Sequence, residues 1–178
     1  MNILEIQRKQ LETQRAIQHS KQEFFNYLKS IFPNSNINFI SNRNVITIFI
    51  DDSKLNLNGN SIEADDFNLV SKLDLNSINE FKMNYNRLQD IHLNLFNEEI
   101  KIREKEAEDY FLDNYQVINI DDLLSLSKEK EITFYHLSGC IIDKHTIHHK
   151  NNRYYLDDNP LYKSVIKNVI DGRVGINS

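Results

Sequence analysis

Residues 77–115 form the stretch that most constrains how this chain folds. Apolar side chains recur there as Ile78, Phe81, Tyr85, Leu88, Ile91, Leu95, Phe96, Ile100, Ile102, Ala107, Tyr110 and Phe111. Steps of three and four line up one face of an α-helix. No Pro or Gly interrupts the run, and Ser77 with Glu80 three residues on has the pattern of a capping box. A helix of this span would be roughly 58 Å long at 1.5 Å per residue, more than a small compact domain requires. Its apolar face needs a cover, from within the chain or from a partner.

Composition narrows the choices. Acidic residues outnumber basic ones, 26 against 21, for a net charge of -5. A protein coating nucleic acid over its whole surface is usually basic, so any such contact here must be local. The single cysteine, Cys140, rules out an internal disulfide and fits a reducing compartment. No apolar run approaches the 18 or so residues of a membrane span, and the N-terminus lacks a basic-then-apolar leader pattern. The expectation is a soluble, cytoplasmic protein with no membrane contact. With only four Gly and two Pro, each of these residues carries weight as a boundary.

Residues 2–32 read as a first helix, stopped by Pro33 and the Asn34-Ser35-Asn36 cluster. Its charges sum positive, whereas those of the long helix sum negative, so packing of the two against each other is plausible within one chain or between two. Between the helices the period changes to two. Residues 36–40 and 44–51 are rich in β-formers around a short loop at 41–43, and 54–57 and 61–64 flank Asn58-Gly59-Asn60, a second hairpin candidate. Residues 65–74 read as a short helix or loop. These features predict an α+β fold, with long amphipathic, coiled-coil-like helices packed on a small antiparallel sheet over residues 1–115. Residues 116–178 form a second part. There, 120–126 reads as a short helix capped by Asn119, 132–137 as a further apolar segment, and 146–150 and 153–156 as strands joined by Asn151-Asn152. Asp157-Asp158-Asn159-Pro160 then leads into a closing helix over 161–170, followed by a frayed tail.

The order short helix, apolar segment, Gly139, basic-tipped hairpin and closing helix resembles a winged helix-turn-helix. The similarity is to the small excisionase and antirepressor-type DNA-binding modules of phages and mobile elements, and it covers residues 117–170. It rests on Ile120-Asp121-Asp122-Leu123-Leu124, on Leu137-Ser138-Gly139-Cys140-Ile141-Ile142 and on Asn152-Arg153-Tyr154-Tyr155-Leu156. The resemblance implies a second helix entering the major groove and a wing touching phosphate or the minor groove. Residues 132–135 are nevertheless as strand-like as they are helical.

Local charge points the same way. From Ile132 to Leu156 the only acid is Asp143, against Lys144, Lys150 and Arg153, with His136, His145, His148 and His149 in addition. The expected nucleic-acid-binding set is therefore Lys144, His145, His148, His149, Lys150, Asn151, Asn152 and Arg153. The competing reading is a non-catalytic protein-interaction or inhibitor protein that works through its acidic long helix at Glu98, Glu99, Glu104 and Glu106, or a homodimer through the long helices. His136, Cys140, His145 and His148 raise the question of metal, but their spacing matches no common zinc site, and no metal or cofactor is expected. No phosphate loop or nucleophile elbow is present. Glu99-Ile100-Lys101 has the Glu-x-Lys spacing of metal-dependent nucleases, but on a helix such a pair points to different sides. The reading is a small non-enzymatic regulatory or accessory protein.

Overall fold

A computed structural model describes residues 1–42, 45–58 and 61–177 of the chain. It separates into two compact units, Met1–Asn97 and Glu98–Ser178. Each has a hydrophobic core of its own.

The N-terminal unit begins with helix α1 (Ile3–Ile31), whose first turn is capped by Asn2: its Oδ1 accepts the Glu5 N–H at 2.8 Å. The helix gives way at Phe32, before Pro33, as the residue preceding a proline disfavours helical backbone. Strands β1 (Ile37–Asn42), β2 (Val45–Ile50), β3 (Ser53–Asn58) and β4 (Ser61–Ala64) follow as an antiparallel sheet in sequence order. Of the two expected hairpin turns, residues 43, 44, 59 and 60 lie outside the described residues. A short helix α2 (Phe67–Ser71) leads into α3 (Leu75–Asn114). The cap of α3 is Asp74 rather than the expected Ser77. Its carboxylate accepts the N–H groups of Asn76 and Ser77 at 3.2 and 3.1 Å and the Ser77 hydroxyl at 2.7 Å. A charged acceptor is well placed at the positive end of a helix.

Period two on the strands and period 3.6 on the helices converge on one core. Ile46, Ile48 and Ile50 alternate inward along β2, with Leu55 and Leu57 beside them on β3. Ile17, Phe24 and Leu28 of α1 and Ile78, Phe81 and Tyr85 of α3 close over them. Phe24 and Phe81 stack at 4.1 Å with their planes 2° apart, and Asn84 Nδ2 donates to Ser20 Oγ at 3.3 Å. Contacts that descend α1 while ascending α3 make the two helices antiparallel within this unit. Each large apolar side chain buried here contributes about 1.5–3 kcal/mol.

The C-terminal unit takes in the end of α3 and then β5 (Tyr115–Ile118), α4 (Ile120–Leu126), β6 (Ile132–Ser138), β7 (Ile141–Lys150), β8 (Arg153–Leu156), β9 (Asn159–Leu161), α5 (Lys163–Val169) and β10 (Arg173–Asn177). Its six strands are antiparallel in the order β5-β10-β6-β7-β8-β9. Helix α4 is capped by Asn119 as expected, with Asn119 Oδ1 accepting the Asp122 N–H at 2.8 Å. The turn between β7 and β8 has Asn151 and Asn152 at φ 52° and 62°, the left-handed conformation that Asn tolerates.

Three expectations for this unit are corrected. No winged-helix module is shown among the described residues, because residues 132–138 are a strand. β6 is paired on both sides, with β10 and β7, leaving no chain for a recognition helix. The alternation of buried Ile132 and Phe134 with outward Thr133 and Tyr135 fits a sheet whose faces differ. Asp157 and Asp158 do not cap the closing helix. They form the β8–β9 turn at φ 48° and 65°, and α5 starts after Tyr162 with no side-chain cap. The tail is not frayed either, since β10 lies between β5 and β6 with Val174 buried.

One face of this sheet carries the core. Leu123 and Leu124 of α4 and Ile166 and Ile170 near α5 pack on Ile132, Phe134, Ile147, Leu156 and Val174. The other face is covered at one end by α3, where Phe111 is fully buried and Glu108 pairs with Arg173 at 2.5 Å, and Tyr115 of β5 stacks there on Tyr135 of β6 at 4.1 Å. At the β6–β7 turn Arg103, Glu106, Ala107 and Tyr110 of α3 share a cleft with Cys140 and Ile142, and beyond it Thr133, Lys144, Lys150 and Arg153 are exposed.

Candidate nucleic-acid interface

Strand register sorts the basic residues between the two faces. Lys144 lies opposite Tyr135, Thr146 opposite Thr133, His148 opposite Tyr155, and Lys150 opposite Arg153. Side chains directly opposite on antiparallel strands share a face, and successive residues alternate between faces. Lys144, His148, Lys150 and Arg153 therefore stand on the face opposite the core with Thr133, Thr146 and Tyr155. Lys144, Lys150, Arg153 and Thr133 are exposed, while His148, Thr146 and Tyr155 are half-buried. Asn151 and Asn152 form the tip that holds Lys150 and Arg153 in register.

The rings of His148 and Tyr155 stack at 4.9 Å with their planes 3° apart. His148 Nδ1 also lies 3.6 Å from Glu131 Oε2 at the entrance to β6. No strand residue of β6–β9 on this face is acidic by the register. The outcome is a sheet surface bearing exposed Lys and Arg, an aromatic pair and hydroxyls, bordered by Glu131 and by Asp157, whose Oδ1 lies 3.4 Å from the Thr146 hydroxyl.

His145 and His149 are turned to the opposite face. His145 Nδ1 lies 2.6 Å from Asp157 Oδ2, and its ring is 5.4 Å from that of Phe134. Burial works to raise the pKa of Asp157, but hydrogen bonds from His145 and from the Thr146 backbone, with the His145 charge, outweigh it and hold that carboxyl below its ordinary value. His149 meets Tyr154 edge-on at 4.8 Å, and its backbone N–H donates to the Ser127 carbonyl at 2.9 Å. Both histidines are thus built into the packing.

The four residues that raised the metal question do not converge. His136 is buried on the core face, its Nε2 against the Asp171 carbonyl oxygen. Cys140 is exposed in the β6–β7 turn, and His148 is on the other face. Among the described residues no group of three or more His, Cys, Asp or Glu is placed to hold a metal ion.

The acidic residues of α3 are spread around the helix. Glu99 and Glu106 are seven residues apart and share a side, whereas Glu104, two residues before Glu106, points away from it at 100° per residue. Glu99 accepts from Arg103 Nε and Nη2 at 2.9 and 2.7 Å. Glu98, Glu104 and Glu106 are exposed.

Tyr155, Thr133 and Thr146 were missing from the sequence-derived set. Period-two alternation through Ile132-Thr133-Phe134-Tyr135, read as a strand, would have placed Thr133 outward. The partner of Tyr155 needed the hairpin register as well. Against models of protein families, curated proteins and solved structures, the chain matches none.

Proposed function

We propose that this is a small non-enzymatic nucleic-acid-binding protein of the regulatory or accessory kind, and that a single strand lies on the face of the C-terminal sheet opposite its core. The observation that carries this reading is the clustering of Lys144, His148, Lys150 and Arg153 with Tyr155 on one face of the sheet, the three Lys and Arg side chains exposed. Lysine and arginine side chains at the rim neutralise phosphates, and an aromatic surface between them accepts unstacked bases of any sequence. An exposed sheet face suits a splayed single strand, whereas a duplex major groove takes a helix or a two-stranded ribbon.

The test is binding of a fluorescent oligonucleotide across a salt series. Replacing both Lys150 and Arg153 by Gln removes two phosphate contacts and flattens the slope of log affinity against log salt by about 1.4 on a single strand. Tyr155→Ala weakens binding about tenfold with the salt slope unchanged. His149→Ala, on the other face, leaves binding alone. Absence of single-strand binding at low salt overturns the reading. The alternative, capture of a protein partner through exposed Glu98, Glu104 and Glu106, then moves first. Charge reversal at those three positions would test it.

A further inference from the structure

We infer that the N-terminal unit carries a second, independent site, a groove between α1 and α3 that binds a phosphate-bearing ligand. The groove has a volume of about 550 Å3 and is lined on one side by Leu11, Gln14, Arg15, Ile17, Gln18 and Lys21 of α1, and on the other by Gln89 and His92 of α3. Positions 14, 18 and 21, and likewise 89 and 92, are one helical turn apart and project together. Among the described residues no acid lines it. The nearest acids along α1 are engaged elsewhere, Glu12 with Arg8 at 3.7 Å and Glu23 with His19 at 3.3 Å. Two cations and three side-chain amides thus face a common space with no carboxylate among them.

Part of this lining is held in place from behind. Tyr85 is fully buried; Lys21 Nζ sits 5.5 Å above its ring and reaches Ser41 Oγ at 3.3 Å. The Tyr85 hydroxyl accepts from Gln89 Nε2 at 2.9 Å. His92 supplies a further donor. Its Nδ1 is buried with no partner among the described residues. A proton there would be an unsatisfied buried donor, which is costlier than an unsatisfied acceptor. The ring, which lines the groove, can leave Nδ1 as the acceptor and offer its proton from Nε2. Guanidinium, ammonium, imidazole N–H and amide N–H donors outnumber what one carboxylate can accept and suit the many oxygens of a phosphate chain.

The probe is tripolyphosphate, titrated calorimetrically into the full chain at low salt, with the His92 ring signals followed by NMR. The expected result is one-to-one binding that shifts the His92 ring. Arg15→Gln and Lys21→Gln each weaken it about tenfold, the loss of one charge-assisted contact. Arg8→Gln, two turns before Arg15 and not among the lining residues, leaves it unchanged, and so does the Lys150/Arg153 double variant. No binding by the wild-type chain, equal loss in Arg8→Gln, equally tight binding of citrate, or loss confined to the Lys150/Arg153 variant each overturns the site. That last outcome would instead place the polyanion on the sheet face of the other unit. If a substituted chain fails to fold, the His92 ring shift in the wild-type chain decides alone.

Discussion

The two sheets of this chain are assembled by different rules. In the N-terminal unit every strand pairs with its neighbour in sequence, β1 through β4, and the two helices cover one face. In the C-terminal unit the last strand, β10, is inserted between β5 and β6. The first pattern is built from local hairpins, each closing a short loop. The second requires the end of the chain to return across more than fifty residues to meet β5, an entropic cost met only once the whole unit is in place. The N-terminal sheet can therefore accumulate strand by strand. The C-terminal sheet stands or falls with its final segment.

Removing β10 breaks this contrast most severely. Ending the chain before Arg173 takes away the strand that pairs with β5, one edge of β6 and the buried Val174. Amide exchange in β5–β8 should rise to that of an unfolded chain, while α1 and β2 keep their protection, because the two cores share no residue. Loss of protection in both units together would show that they fold as one cooperative block.

The same contrast explains what could be read in advance. Helices α1 and α3, the strands between them and the Asn119 cap announce themselves by spacing and by one residue's chemistry. Asn151-Asn152 likewise announces a tight turn. Residues 132–137 were ambiguous because a short apolar run has too few periods to separate 3.6 from 2. Pairing with β10 on one side and β7 on the other settles it as strand, and β10 lies some forty residues away. Arg173-Val174-Gly175-Ile176 looks like a frayed end because nothing local distinguishes a terminal strand from a tail. The basic set was legible as a set, but its division between faces was not. That division depends on whether His145 and His149 fall on odd or even positions of a register set by partner strands. Their partners, Phe134 and Tyr154, are identified only once β6–β8 are aligned.

A smaller effect sharpens the dependence on β10. A Cβ on Gly175 would lie 2.7 Å from Tyr115 Cβ and 2.9 Å from Phe111 Cζ. Tyr115 belongs to β5 and Phe111 to α3, so neither can retreat as a free side-chain end. Gly175→Ala should destabilise the C-terminal unit by about 1–3 kcal/mol, the usual cost of overpacking. This outweighs the backbone entropy that Ala would save in the unfolded chain, about 0.4–1 kcal/mol. Urea unfolding followed by probes in each unit measures it, and the N-terminal transition should not move. A neutral or stabilising result would mean that β10 is held more loosely against β5 than the stacked Tyr115–Tyr135 contact requires.

The smallest effect concerns acid. In the N-terminal unit, hydrogen bonds from Ser35 to Asp51 and from Ser77 to Asp74 hold both carboxyls below their ordinary value. In the C-terminal unit Asp157 is lowered chiefly by His145 and Thr146, against the opposing effect of burial. A carboxyl whose folded pKa is depressed contributes stability that is complete above its unfolded value, near 3.9, and is lost as pH falls through the lower folded value. Asp157→Asn removes that contribution but keeps a residue at home in left-handed backbone, with an oxygen to accept the Thr146 N–H. Nearly half of the Asp157 side chain is exposed, 45%, so solvent screens the pair, and the loss at neutral pH should stay below about 1 kcal/mol. Between pH 5 and pH 2 the C-terminal unit of the variant should lose less stability than that of the wild type. The N-terminal unit, with Asp51 and Asp74 intact, should respond alike in both. Unchanged acid sensitivity in the variant would move the acid-labile contact away from the β8–β9 turn, with Asp121, held low by Lys167 and Lys163, as the next carboxylate to replace.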